Sequence, residues 1–132
     1  MVRATGTGSG LAAQRGIRGA LARLALAIRA ALTSPAGRWL SLAFLCGQLL
    51  DVYTTHVALA SGRFQEANPV FAPALASNEV LALLVKLALA GLVLLAALTK
   101  LSGTRRTVVL GVLAFISLEA PITNGLRMAG LL

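Results

Sequence analysis

The stretch Leu49–Pro69, LLDVYTTHVALASGRFQEANP, decides how this chain is read. Its first half continues an apolar run from Trp39 to Ala60. That run has about the 20 residues that a helix rising 1.5 Å per residue needs to cross a hydrocarbon core of roughly 30 Å. Asp51 stands inside it, and Gly62, Glu66, Asn68 and Pro69 close it. An ionisable side chain at membrane depth costs about 2.5–3.5 kcal/mol on insertion scales, so it normally faces the protein interior and a partner. The stretch therefore predicts a span with one polar face, followed by a turn.

The remainder of the chain has the composition such a span requires. Of its 132 residues, 58% are hydrophobic and 12% charged, with a mean hydropathy of +0.85. Soluble domains are about half apolar and one quarter charged. Twelve basic and four acidic residues would not cover a water-soluble fold of this length, whereas a lipid-facing surface needs none. Val80–Thr99 and Thr107 to about Leu131 are also long and apolar enough to span. The expected fold class is all-α: a polytopic membrane protein with three transmembrane helices, at about 39–60, 80–99 and 107–131, in one domain covering 39–132. An amphipathic helix precedes them.

The formal charge is +8, but its placement argues against nucleic acid. Arg3, Arg15, Arg18, Arg23, Arg29 and Arg38 precede Trp39, and the other bases flank or punctuate apolar runs, an arrangement suited to anionic lipid headgroups. Lys100, Arg105 and Arg106 separate the second and third runs, whereas the segment from Ser61 to Asn78 carries Arg63 against Glu66. Because cytoplasmic flanks carry the excess of Lys and Arg, this predicts a multi-pass protein of the cell membrane with a cytoplasmic N-terminus and an outer C-terminus. The lone cysteine, Cys46, excludes an intrachain disulfide.

The N-terminal arm divides in two. Residues 1–10, MVRATGTGSG, form a Gly/Ser/Thr-rich leader expected to be disordered. Over 11–33, Ile17, Leu21, Leu24, Ile28 and Leu32 fall on one arc of a helix and Arg15, Arg18, Arg23 and Arg29 on the other. This reads as a basic helix lying on the inner leaflet. The absence of acids before Asp51 also admits a mitochondrial-type transit peptide as a rival. A secretory signal fits less well, because the apolar run that follows is a full-length span. Ser34-Pro35-Ala36-Gly37 breaks the arm from the first span.

Four ionisable residues lie within the apolar runs: Asp51, Lys86, Glu119 and Arg127. Counted along their helices, Asp51, Lys86 and Glu119 fall between the midplane and the outer third, at levels where they could meet. Gly47, Gln48, Thr54, Thr55 and Ala58 share the face of Asp51, a small and polar stripe of the kind that packs helices together in lipid. Ala82, Ala90 and Ala97 make a comparable face around Lys86. On the third run, Glu119, Thr123 and Arg127 follow at i, i+4 and i+8, and Pro121 is expected to kink the helix and free a backbone carbonyl. Neutralising pairs that fix helix register are one reading of these charges, and a polar pocket open to the outer face is the other. A dry contact pair without a pocket would favour the first. His56 reads as a headgroup-level residue, and with no second histidine or cysteine cluster no metal site is expected.

In the outer segment, Gly62 can end the first helix. Asn68-Pro69 has the form of an N-cap followed by proline at the first helical position, predicting a short helix from Val70 to about Ala76. Glu66 and Asn68 would then lid the polar face of Asp51 and Lys86. Asn78 or Ser77 would cap the second span, with Glu79 in its first turn.

The succession Asp51-x-x-Thr54-Thr55, Gly62, Glu66-x-Asn68-Pro69, with Lys86 in the next span and Asn124 in the last, resembles the domain-of-unknown-function 5658 family of small multi-span prokaryotic membrane proteins. The resemblance runs from about Trp39 onward and leaves out the arginine-rich arm. It implies a helical membrane domain with Asp51, Thr55, Glu66, Asn68, Pro69, Lys86 and Asn124 as the shared positions, and implies no activity. It does not place Glu119 or Arg127. No nucleophile elbow, metal-ligand cluster or phosphate loop is present, so an enzyme is the least supported class, and no cofactor is expected. Two functions follow: a structural, accessory or interaction protein that self-associates or docks on a membrane-protein partner, or a subunit of an oligomeric transporter of ions, protons or small solutes that uses the polar cluster.

Overall fold

The computed structural model describes residues 8–62, 65 and 68–131. Five helices follow one another: α1 (Gly8–Thr33), α2 (Pro35–Ala60), α3 (Ala72–Ser77), α4 (Glu79–Lys100) and α5 (Gly103–Met128), with no strand among the described residues. The fold is all-α, and α2, α4 and α5 are each long and apolar enough to cross a membrane. Each extends the expected run by one to four residues at its start, because the caps lie outside the apolar stretch.

Those caps are chemically distinct. Ser34 adopts an extended conformation and its Oγ accepts from the Gly37 amide at 3.0 Å, with Pro35 supplying the fixed φ of a first helical position. The break expected at Ser34-Pro35 is therefore a junction between two helices. Asn78 caps α4 by accepting from the Leu81 amide at 3.0 Å, and Glu79 and Lys100 place acid and base at the ends that the helix dipole favours. The short helix starts later than expected. Asn68 Oδ1 accepts from the Val70 amide at 3.0 Å, a turn that consumes the side chain before a helix can begin, so α3 starts at Ala72 with Pro73 in its first turn.

Two pairs of contacts fix the topology. A side chain on Gly47 would collide with Ser117, and Asn124 bonds to Thr54, both pairs seventy residues apart, so α2 and α5 run parallel. Asp51 meets Lys86 and His56 meets Glu79, a falling register that makes α4 antiparallel to α2. α2 packs chiefly on α5, and α3 folds back on α4.

At one end Ala31, Phe44, Leu94, Ala97, Leu98, Leu110 and Ala114 form an apolar core that also holds the end of α1 against α2 and α4. Outside this core, large apolar side chains remain exposed on all three long helices, including Leu49, Leu84, Leu92, Phe115 and Ile122. A water-exposed monomer rarely carries apolar area on this scale. The leader expected to be disordered covers residues 1–10; α1 begins within it, at Gly8, and residues 1–7 lie outside the described residues.

Candidate functional site

The polar stripe of α2 turns inward. Ser41, Gly47, Asp51 and Thr55 are buried at i, i+6, i+10 and i+14, which a helix of 3.6 residues per turn brings to one side. Asp51 is 7% exposed, and its Oδ2 lies 2.5 Å from Lys86 Nζ on α4. Thr55, one turn on, donates to Asp51 Oδ1 at 3.4 Å. Both carboxylate oxygens are thus engaged. Thr54 donates to the Asp51 carbonyl at 3.3 Å and accepts from Asn124 Nδ2 at 3.4 Å, tying the stripe to α5. Among the described residues, no buried side-chain nitrogen or oxygen lacks a partner, as burial of polar groups requires.

Close approach of α2 and α5 depends on two backbone features. Pro121 sits inside α5 and lacks the amide that would bond the Ser117 carbonyl. Gly47 faces that carbonyl: a Cβ there would stand 2.7 Å from Ser117 O and 2.8 Å from Ser117 C. The absence of a side chain at Gly47 and of an amide at Pro121 meet at one point, where the backbones come together. α5 nevertheless runs unbroken from Gly103 to Met128.

Beside the ion pair lies a cavity of about 270 Å³. α2 contributes Asp51 and Thr55, α4 Lys86, α5 Asn124 and Arg127, and the segment after α2 Gln65 and Asn68. The pair is in contact, and it borders an accessible pocket.

Not every expected member arrives. Glu119 does not join the cluster: it is exposed, and its one hydrogen bond is from Thr123, at 3.5 Å. It stands two residues from both Ser117 and Pro121, hence about 200° round the helix from the face that meets α2. Nor does Arg127 pair with it. Eight residues turn Arg127 by about 80° relative to Glu119, enough to bring it to the cavity instead. Gly62 ends α2 with φ +67°, a conformation that favours glycine. Pro69 is exposed in the turn before α3. Glu66, and with it half of the expected lid, lies outside the described residues. On α1, Arg18, Arg23 and Arg29 are exposed, and the side chain of Arg15 is not described.

Three features escaped the sequence reading. His56 Nδ1 lies 2.7 Å from Glu79 Oε1, a second and exposed link between α2 and α4. Its signal was the antiparallel register itself, since moving five residues toward the end of α2 from Asp51 corresponds to moving seven, about two turns, toward the start of α4 from Lys86. The place of Arg127 at the cavity could have been found by following the face of Asn124, three residues earlier. Gln65 had no signal, because its position depends on how the chain leaves α2.

A family model described as a domain of unknown function (DUF5658) matches residues 42–122. The chain belongs to that family. The matched range takes in Asp51, Thr55, Glu66, Asn68, Pro69 and Lys86 and ends just short of Asn124 and Arg127, while α1 lies wholly outside it. No curated protein and no solved structure matches the chain. Among the described residues no three of His, Cys, Asp or Glu come together as metal ligands.

Proposed function

We propose that this member of the family is a multi-pass integral membrane protein that acts by association: a three-span domain fastened internally by Asp51 and Lys86, which docks on a second copy of itself through the outward face of α5. The orientation that fits its basic residues has the N-terminus in the cytoplasm and the C-terminus outside the cell membrane. Arg15, Arg18, Arg23 and Arg29 of α1 then meet the anionic headgroups of the inner leaflet.

The observation that carries this reading is Glu119. It is exposed among Val112, Phe115 and Ile122, which are themselves more than half exposed. A carboxyl group on such a face costs about 2.5–3.5 kcal/mol in lipid, and contact with a second helix that can hydrogen-bond it removes much of that cost. Thr123, which already bonds Glu119, adds a hydroxyl to the same surface.

A Cys46→Ala, Phe115→Cys chain oxidised in its native membrane is expected to form a disulfide-linked dimer, and the dimer yield should fall several-fold when Glu119→Leu is added. A folded Phe115→Cys chain that stays monomeric under oxidation excludes this interface. The cavity beside the ion pair favours a second reading, in which the same oligomer conducts a small polar solute.

A further inference from the structure

We infer that the cavity between α2, α4 and α5 is a binding site for a small oxyanion, a phosphate or carboxylate group, held by Arg127 and Lys86. This goes beyond association through α5 and does not depend on it, since Glu119 does not line the cavity.

The argument is one of unspent donors. Among the described residues the lining carries one acid, Asp51, against two bases, Lys86 and Arg127. Lys86 already neutralises Asp51 at Oδ2 and Thr55 donates to its Oδ1, so the carboxylate leaves no net negative charge to draw a cation. An ammonium has three N–H donors, and Lys86 directs its one ion pair to Asp51. Arg127 forms no hydrogen bond or ion pair among the described residues, so all five guanidinium donors remain. A planar guanidinium and an ammonium lining one cavity suit an oxyanion, which can take two parallel bonds from the first and one from the second. Asn124 uses one amide proton on Thr54 and keeps the other, and Gln65 adds a neutral amide at the mouth. The cavity of about 270 Å³ admits such a group on a small solute or at the head of a lipid.

The purified full chain, in a non-ionic detergent free of phosphate, would be followed by thermal unfolding at constant ionic strength. Sodium chloride is exchanged stepwise for inorganic phosphate, for acetate, or for a short-chain phosphatidate. Saturable stabilisation relative to chloride is expected with at least one of these, because a ligand that binds only the folded state raises its apparent stability. Arg127→Gln should weaken the apparent Kd about tenfold or more, as loss of a charge-assisted contact implies. Arg105→Gln, at the other end of α5, should leave it unchanged. Arg127 is exposed, and unfolding in chloride alone verifies that its variant folds. Saturation by phosphate or acetate identifies a free solute as the source, and saturation by the phosphatidate alone identifies a lipid headgroup. Absence of saturation with all three probes, or equal Kd in wild type and Arg127→Gln, overturns the site.

Discussion

Asp51 is the residue on which the site turns, and its energetics separate a fastening from an ornament. A buried ion pair is weak evidence for stability, because desolvation offsets much of the attraction. Removing one member is different: it leaves the other charge buried and uncompensated, at about 3–5 kcal/mol, whereas replacing both by apolar residues of similar volume is often neutral. Asp51 is almost fully buried, while the Lys86 side chain keeps about a quarter of its exposure beside the cavity. Asp51→Leu and Lys86→Met should therefore differ as single changes. Lys86→Met, which strands the more deeply buried charge, is expected to lower stability by about 3 kcal/mol or more, and Asp51→Leu, whose stranded ammonium can turn toward the cavity, by less. The double variant should recover most of the loss. Reversible unfolding in mixed micelles measures all three. A double variant as unstable as Lys86→Met would mean that the pair contributes through specific hydrogen bonds and not through mutual neutralisation.

At the scale of elements, the α2 and α5 contact shows what sequence could and could not convey. The three long helices and the inward polar stripe from Gly47 to Ala58 were legible because apolar length and 3.6-residue periodicity are properties of one segment. Asp51, Lys86 and Glu119 share a depth along their helices, yet Asp51 contacts Lys86 while Glu119 is exposed on another face of α5, because level along a helix carries no information about direction around it. The missing coordinate was available in principle from Ser117, Pro121 and Asn124, whose common face opposes Glu119, but choosing that face required knowing that α2 packs there. Gly47 now specifies the contact. Gly47→Ala puts a methyl group against the Ser117 carbonyl, and overpacking against backbone costs about 1–3 kcal/mol. Gly91→Ala meets nothing within 4 Å on α4 and should stabilise by about 0.5–1 kcal/mol through helix propensity. The two variants, unfolded side by side, are expected to move in opposite directions. Equal stabilisation of both would show that α2 and α5 do not approach at Gly47.

For the whole molecule, the two ends of the bundle differ in kind, and the difference bears on which end faces the cytoplasm. The apolar core gathers the start of α2, the end of α4 and the start of α5, and it anchors α1. The opposite end holds the cavity, the His56–Glu79 link and α3. Basic residues flank the first end: Arg29 and Arg38 on either side of the α1–α2 junction, and Lys100, Arg105 and Arg106 at the α4–α5 turn. Translocating such a cluster opposes the rule that sets orientation, so the closed, basic end is expected inside and the cavity end outside. In a Cys46→Ala background, Val70→Cys, at a residue 77% exposed before α3, should react with a membrane-impermeant maleimide in intact cells. Ser102→Cys, in the exposed turn between α4 and α5, should react only after permeabilisation. The reverse labelling pattern would put the cavity on the cytoplasmic side, where an oxyanion would reach Arg127 from the cell interior. It would also move α1 to the outer leaflet, where its exposed arginines would lack the anionic headgroups that their spacing fits.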